Sequence, residues 1–147
     1  MSADRLFVAL DYSTIAESLA LVAKLEGSVR RYKVGLELFT STGPESVKAV
    51  RATGAQVLLD LKLHDIPETV KRAARSAAAT GAEWLTVHTA GGLEMLRAAV
   101  AGADRTGILG VTVLTSMDLA DLEATGYKAK SLEDLVVQRA ELAAEAG

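Results

Sequence analysis

The sequence predicts an α/β fold, a TIM (β/α)8-type barrel present here as about its first five βα units. Three observations carry this expectation. Short runs rich in Leu and Val recur roughly every 25 residues, with helical periodicity between them. The runs are almost continuously apolar, which fits parallel strands in a sheet covered on both faces. Polar and charged residues stand at or near the ends of several different runs, where barrel active sites draw their side chains. The competing arrangement is an open Rossmann-like sheet, which would show GxGxxG after its first strand. Neither that motif nor a P-loop occurs.

The units follow in order. The first run, 6–10 (LFVAL), leads to a helix whose start is marked by the capping-box pair Thr14 and Glu17. Ile15, Leu19, Val22 and Leu25 then share one helical face, and Gly27 closes the helix. After the second run, 32–36 (YKVGL), Pro44 suits the first turn of a helix and Gly54 its end. The third run, 57–63 (VLLDLKL), precedes a helix opened by Pro67 and ended by Gly81. The fourth, 84–88 (WLTVH), precedes a helix between Gly91 and Gly102. The fifth, 108–114 (ILGVTVL), precedes a helix running from Ser131 to Gly147, with a short extra helix near 118–124. A whole barrel has eight such units in about 250 residues. Gly147 falls where a sixth strand would begin, so residues 1–147 read as a single domain, an N-terminal portion of a truncated barrel.

Composition narrows the function classes. Half of the 147 residues are hydrophobic and only 4% aromatic, so Leu, Val, Ile and Ala must build the core. The net charge of −3 has the wrong sign for a nucleic-acid binder, which would carry a basic stripe. There is no cysteine, hence no disulfide and no thiolate metal ligand. The start, MSADRLFVALD, lacks the apolar segment of a signal peptide, and no apolar run approaches a membrane span. A soluble cytoplasmic protein is expected.

The chemistry is concentrated in 57–70, VLLDLKLHDIPETV. Asp60 and Lys62 are two apart on a strand and so share a face, in a barrel the interior face at its C-terminal rim. Asp65 follows in the loop. Charged side chains seldom occupy buried strands without partners. Asp60 with Lys62 can be a buried ion pair without chemistry, and Asp65 can cap the Pro67 helix with Glu68 completing a box-like pattern. Asp11, after the first run, can make a cap-like turn before Thr14. Lys33, in the second run, can snorkel to the surface. Taken together, however, two lysines and three aspartates aimed at one rim offset each other's desolvation. His88, ending the fourth run, reads as a hydrogen-bonded structural histidine lining the site, and His64 as a loop residue. Thr112, Thr115 and Ser116, taken to end the fifth run, can bind a polar substrate or satisfy loop backbone.

The segments FVALDY (7–12), YKVGLELF (32–39), LLDLKLHDIPETV (58–70), VHTAGG (87–92) and VTVLTSM (111–117) resemble the orotidine 5′-phosphate decarboxylase family of the bacterial type. DLKLHDIPET is the specific part. D-x-K-x-x-D alone indicates only the wider superfamily, which includes hexulose-phosphate synthases and ketogulonate-phosphate decarboxylases. The resemblance implies cofactor-free decarboxylation of orotidine 5′-monophosphate to UMP and CO2, in pyrimidine biosynthesis. It implies that Asp11 binds the ribose hydroxyls and that Lys33 joins the charge network and contacts the ribose. Asp60 would sit beside the substrate carboxylate, and Lys62 would protonate C6. It further implies a homodimer in which Asp65, Ile66 and Thr69 reach the partner's site, and a pyrimidine contact from Thr115. The family's phosphate grip comes from the sixth strand onward, including an arginine near the C-terminus, and is not among these residues.

Two rival chemistries use the same residues. Lys62 as a Schiff-base nucleophile needs a neutral amine, whereas flanking aspartates stabilise the ammonium. Mg2+ held by Asp60 and Asp65, as in the sugar-phosphate relatives, is opposed by the lysine between them. No metal and no cofactor are therefore expected. Outside enzymology, five units leave two unpaired sheet edges, so an inactive or partner-dependent barrel fragment is the alternative.

Overall fold

A computed structural model describes residues 5–147. Five strands form one parallel sheet in chain order: β1 (Val8–Ala9), β2 (Arg31–Val34), β3 (Gln56–Leu63), β4 (Trp84–His88) and β5 (Gly107–Val111). Helices connect them: α1 (Ile15–Lys24), α2 (Leu36–Thr42), α3 (Glu45–Ala52), α4 (Pro67–Ala78) and α5 (Leu93–Gly102). A 3-10 turn (Thr89–Gly91) joins β4 to α5, and α6 (Leu119–Ala124) and α7 (Leu132–Ala146) follow β5. Each strand pairs with the one before it. A doubly wound sheet reverses its strand order at a switch point. The unreversed order seen here is that of five consecutive units of a (β/α)8 barrel wall.

The helix starts follow from local chemistry. The Thr14 hydroxyl accepts the Glu17 N–H, and Ser131 does the same for Asp134. Asp118 and Asp121 exchange side-chain and backbone bonds in a full capping box, so α6 forms despite its shortness. The expected box at α4 does not form. Ile66 is the N-cap residue, without a side-chain cap, and Glu68 instead pairs with Arg72 at 2.8 Å.

Alternate strand residues point to opposite faces. Val34, Val57, Leu59, Leu85 and Val87 are wholly buried and form one core with Leu38, Val47, Val70, Met95 and Leu96 from the helices. The other face is the barrel interior, and in this chain it is open, contrary to the expectation of cover on both faces. Leu58 and Trp84 are only partly buried there, and Leu109 is 41% exposed. At its lower end Phe7 and Trp84 meet edge to face at 5.1 Å, with the Arg31 guanidinium 5.2 Å from the Trp84 ring centre.

Three boundaries differ from the sequence reading. The first strand is shorter than 6–10. The second ends at Val34, because the chain turns at Gly35 and enters α2, a helix the sequence did not suggest. Leu36 therefore lies on an exposed helical position, while Leu38 is buried. The fifth strand stops at Val111, and Thr115 and Ser116 sit in the turn beyond it.

Candidate active site

The C-terminal end of β3 departs from a regular ladder. Leu59 pairs with Leu85, and the next pairing is Leu63 with Val87, so the longer β3 segment bulges between them. Lys62 lies in this bulge with φ 50°, a left-handed conformation uncommon for a residue with a side chain. Such strain gathers at functional sites. Simple strand alternation does not describe it, although Asp60 and Lys62 do meet as expected.

Around the bulge the charged side chains form one connected chain. The Lys62 Nζ donates to both carboxylate oxygens of Asp60, at 2.9 and 2.8 Å. The Lys33 Nζ is 3.8 Å from Asp60 and 3.0 Å from Asp11. Lys33 thus bridges two carboxylates rather than snorkelling away, and Asp11 turns to Lys33 rather than to a cap. Gly35 leaves room beside this pair: a Cβ there would stand 3.1 Å from the Lys33 Nζ and 3.4 Å from the Asp11 carboxylate.

Asp60 is 9% exposed. Burial favours its neutral acid, but hydrogen bonds from Lys62 and Thr86, with the charges of Lys62 and Lys33, outweigh burial and hold its pKa below the usual aspartate value. The result is an ionised, buried carboxylate held between two lysines. Such a site can crowd an incoming anion against Asp60 and offer it a proton from Lys62.

The other expected residues do not join this network within the chain. The Asp65 carboxylate accepts the N–H of Ile66 at 2.6 Å and makes no ion pair among the described residues. Ile66 is 67% exposed, and Thr69 and Thr115 are also exposed. His88 lines the rim, its ring 5.6 Å from that of His64. Contrary to expectation it holds no hydrogen bond among the described residues. Burial first, then the charges of His64, Lys62 and Arg139, push its pKa down, against a smaller pull from Asp60. Among the described residues no three His, Cys, Asp or Glu side chains converge as metal ligands, and no helix is long and apolar enough to cross a membrane.

Thr86 was missed by the sequence reading. It is buried on β4, donates to Asp60 at 2.8 Å, and accepts the Lys62 N–H at 2.9 Å. The available signal was alternation, which places it between Trp84 and His88 on the interior face.

Comparison with known proteins adds the following. Residues 4–147 match the family model described as orotidine 5′-phosphate decarboxylase / HUMPS family. The chain is 52% identical over 145 residues to a curated relative from Anaeromyxobacter sp. (strain K) named orotidine 5′-phosphate decarboxylase. That alignment covers 98% of this chain and 63% of the relative, so the chain spans less than two thirds of the relative's length. Among solved structures it resembles an uncharacterized conserved protein from Geobacillus kaustophilus, with TM-score 0.90 and 38% identity, covering 96% of this chain and 69% of that one. It also resembles orotidine 5′-phosphate decarboxylase from Lactobacillus acidophilus, with TM-score 0.86 and 33% identity, covering 97% and 67%.

Proposed function

The chain belongs to the orotidine 5′-phosphate decarboxylase / HUMPS family, and from that premise we propose that the whole protein converts orotidine 5′-monophosphate to UMP and CO2. The observation that carries this reading is the Asp11–Lys33–Asp60–Lys62 chain at the strand ends, with an ionised, buried Asp60 held by Lys62 at 2.8 Å. The substrate carboxylate lies against Asp60. The bond from C6 to the carboxylate breaks, CO2 leaves, and the electron pair stays on C6. The Lys62 ammonium stabilises that charge and gives C6 its proton, becoming an amine that recovers a proton from solvent. No metal or organic cofactor takes part.

Asp11 and Lys33 hold the ribose hydroxyls in this scheme, and Thr115 touches the pyrimidine. Asp65, Ile66 and Thr69 are exposed, and the Asp65 carboxylate is engaged only by the Ile66 N–H among the described residues, which suits a homodimer in which they complete the partner's site. A cytoplasmic setting is part of the proposal. A Mg2+ site shared by Asp60 and Asp65 is disfavoured, since Asp60 is taken by lysines and Asp65 by its own loop.

The test is to assay the whole protein with orotidine 5′-monophosphate in D2O containing EDTA. Stoichiometric UMP carrying deuterium at C6 is expected. Activity that vanishes with EDTA and returns with Mg2+, or no UMP at all, contradicts the reading.

A further inference from the structure

We propose that Thr86 is a positioning residue: its hydroxyl fixes the left-handed backbone of Lys62 and the carboxylate of Asp60 together, and so aims the Lys62 ammonium. Only the kinetic part of this inference rests on the decarboxylase reading.

The bond directions are fixed by chemistry. A backbone N–H can only donate, so at 2.9 Å the Lys62 N–H gives its hydrogen to the Thr86 oxygen. An ionised carboxylate can only accept, so at 2.8 Å the single Thr86 hydroxyl proton goes to Asp60. Asp60 in turn receives the Nζ of the same Lys62. The ring thus runs from the Lys62 backbone through Thr86 and Asp60 to the tip of the Lys62 side chain. Both ends of that lysine are referenced to one buried hydroxyl.

The bulge makes the hydroxyl necessary. Where β3 loses register with β4 between Leu59 and Leu63, the Lys62 N–H finds this side chain in place of a neighbouring strand carbonyl. A part-buried N–H left without its acceptor is costly, and a φ of 50° is not where an unrestrained lysine settles. Without the hydroxyl, relaxation of Lys62 toward ordinary strand geometry moves the root of its side chain and swings its ammonium off Asp60. Arg31, Trp84 and Phe7 support the opposite end of the sheet and do not substitute for this bond.

Thr86→Val keeps the shape and strand preference but removes both bonds, while Thr86→Ser keeps them. In the whole protein, Thr86→Val is expected to lower kcat by about 10- to 100-fold, since a misplacement near 1 Å costs that much, with KM changed by less than about threefold. Thr86→Ser should stay within about threefold of wild type in kcat. Having lost one donor to Asp60, the valine variant should also show its acid limb of kcat at higher pH. Amide hydrogen exchange supplies an arm independent of activity: the Lys62 amide is protected in wild type and serine and exposed in valine, with β4 amides unchanged. Valine with kcat above about half of wild type, serine as impaired as valine, or equal Lys62 protection in all three overturns the proposal. A wild-type protein that makes no UMP overturns the decarboxylase reading instead, and the exchange arm alone then decides Thr86.

Discussion

Lys33 stands 3.0 Å from Asp11 and 3.8 Å from Asp60, so it lies between a carboxylate in the loop after β1 and one on β3. Removing a shared counter-charge leaves one partly buried carboxylate without part of its compensation and the other free to turn to solvent. Lys33→Ala in the whole protein should lower kcat/KM by about 100-fold, equivalent to about 2.7 kcal/mol of transition-state stabilisation. Steady-state UMP formation reads this directly, and a loss below about threefold means that Lys33 is an ordinary surface cation. The pKa of His88 is depressed in the fold by burial and by the positive charges of its neighbours, so the unfolded chain takes up the proton first as pH falls. Stability from this group is intact above the usual histidine value of about 6.5 and declines as pH drops from there through the folded value. Thermal unfolding followed from pH 7.5 downward should therefore flatten in His88→Gln over the first stage of acidification. Equal pH dependence in both proteins argues against a strained His88.

Among the elements, α4 and α5 pack closely, and the reason is Gly102. A Cβ at this position runs into the backbone carbonyl of Lys71 on α4. Replacing glycine by alanine in a helix ordinarily gains up to about 1 kcal/mol. Here the clash is with backbone, which cannot rotate away, and overpacking of this kind costs about 1–3 kcal/mol. Gly102→Ala should thus lower the unfolding midpoint, and a raised midpoint would show that the helices move apart freely. The same scale shows what a sequence can and cannot reveal. Helices α1, α4, α5 and α7 were legible because periodic apolar positions came with punctuation at Thr14, Pro67, Gly91 and Ser131. Helix α2 was not, because Leu36–Thr42 is short and continues an apolar run, so period alone reads it as strand. At the site, Asp60 and Lys62 announced themselves as charges in an apolar strand. The bulge beneath them depends on the register with β4, which no single strand encodes, and Thr86 is an ordinary strand residue until that register is known. Asp65 stood out through the D-x-K-x-x-D spacing and Thr115 as a hydroxyl beyond the fifth run, whereas Ile66 and Thr69 were singled out by resemblance alone; all four are exposed.

Taken as a whole molecule, the 147-residue chain presents an open sheet with β1 and β5 at its edges and an interior face carrying Phe7, Leu58, Trp84 and Leu109. Unpaired edges beside apolar surface promote association between chains. Residues 1–147 prepared alone are expected to self-associate in light scattering, and a monodisperse monomer would show that the open face is better solvated than its side chains suggest. Catalysis also belongs to this scale, because it needs strand ends held in fixed relation and a substrate anchored away from the reacting carbon. The role of Lys62 as proton donor is tested by Lys62→Ala in the whole protein, measuring UMP formation and UMP binding side by side. Decarboxylation should be lost while nucleotide binding and the unfolding midpoint remain near wild type. Turnover above about a tenth of wild type, a barrier change under about 1.4 kcal/mol, would contradict Lys62 as the proton donor.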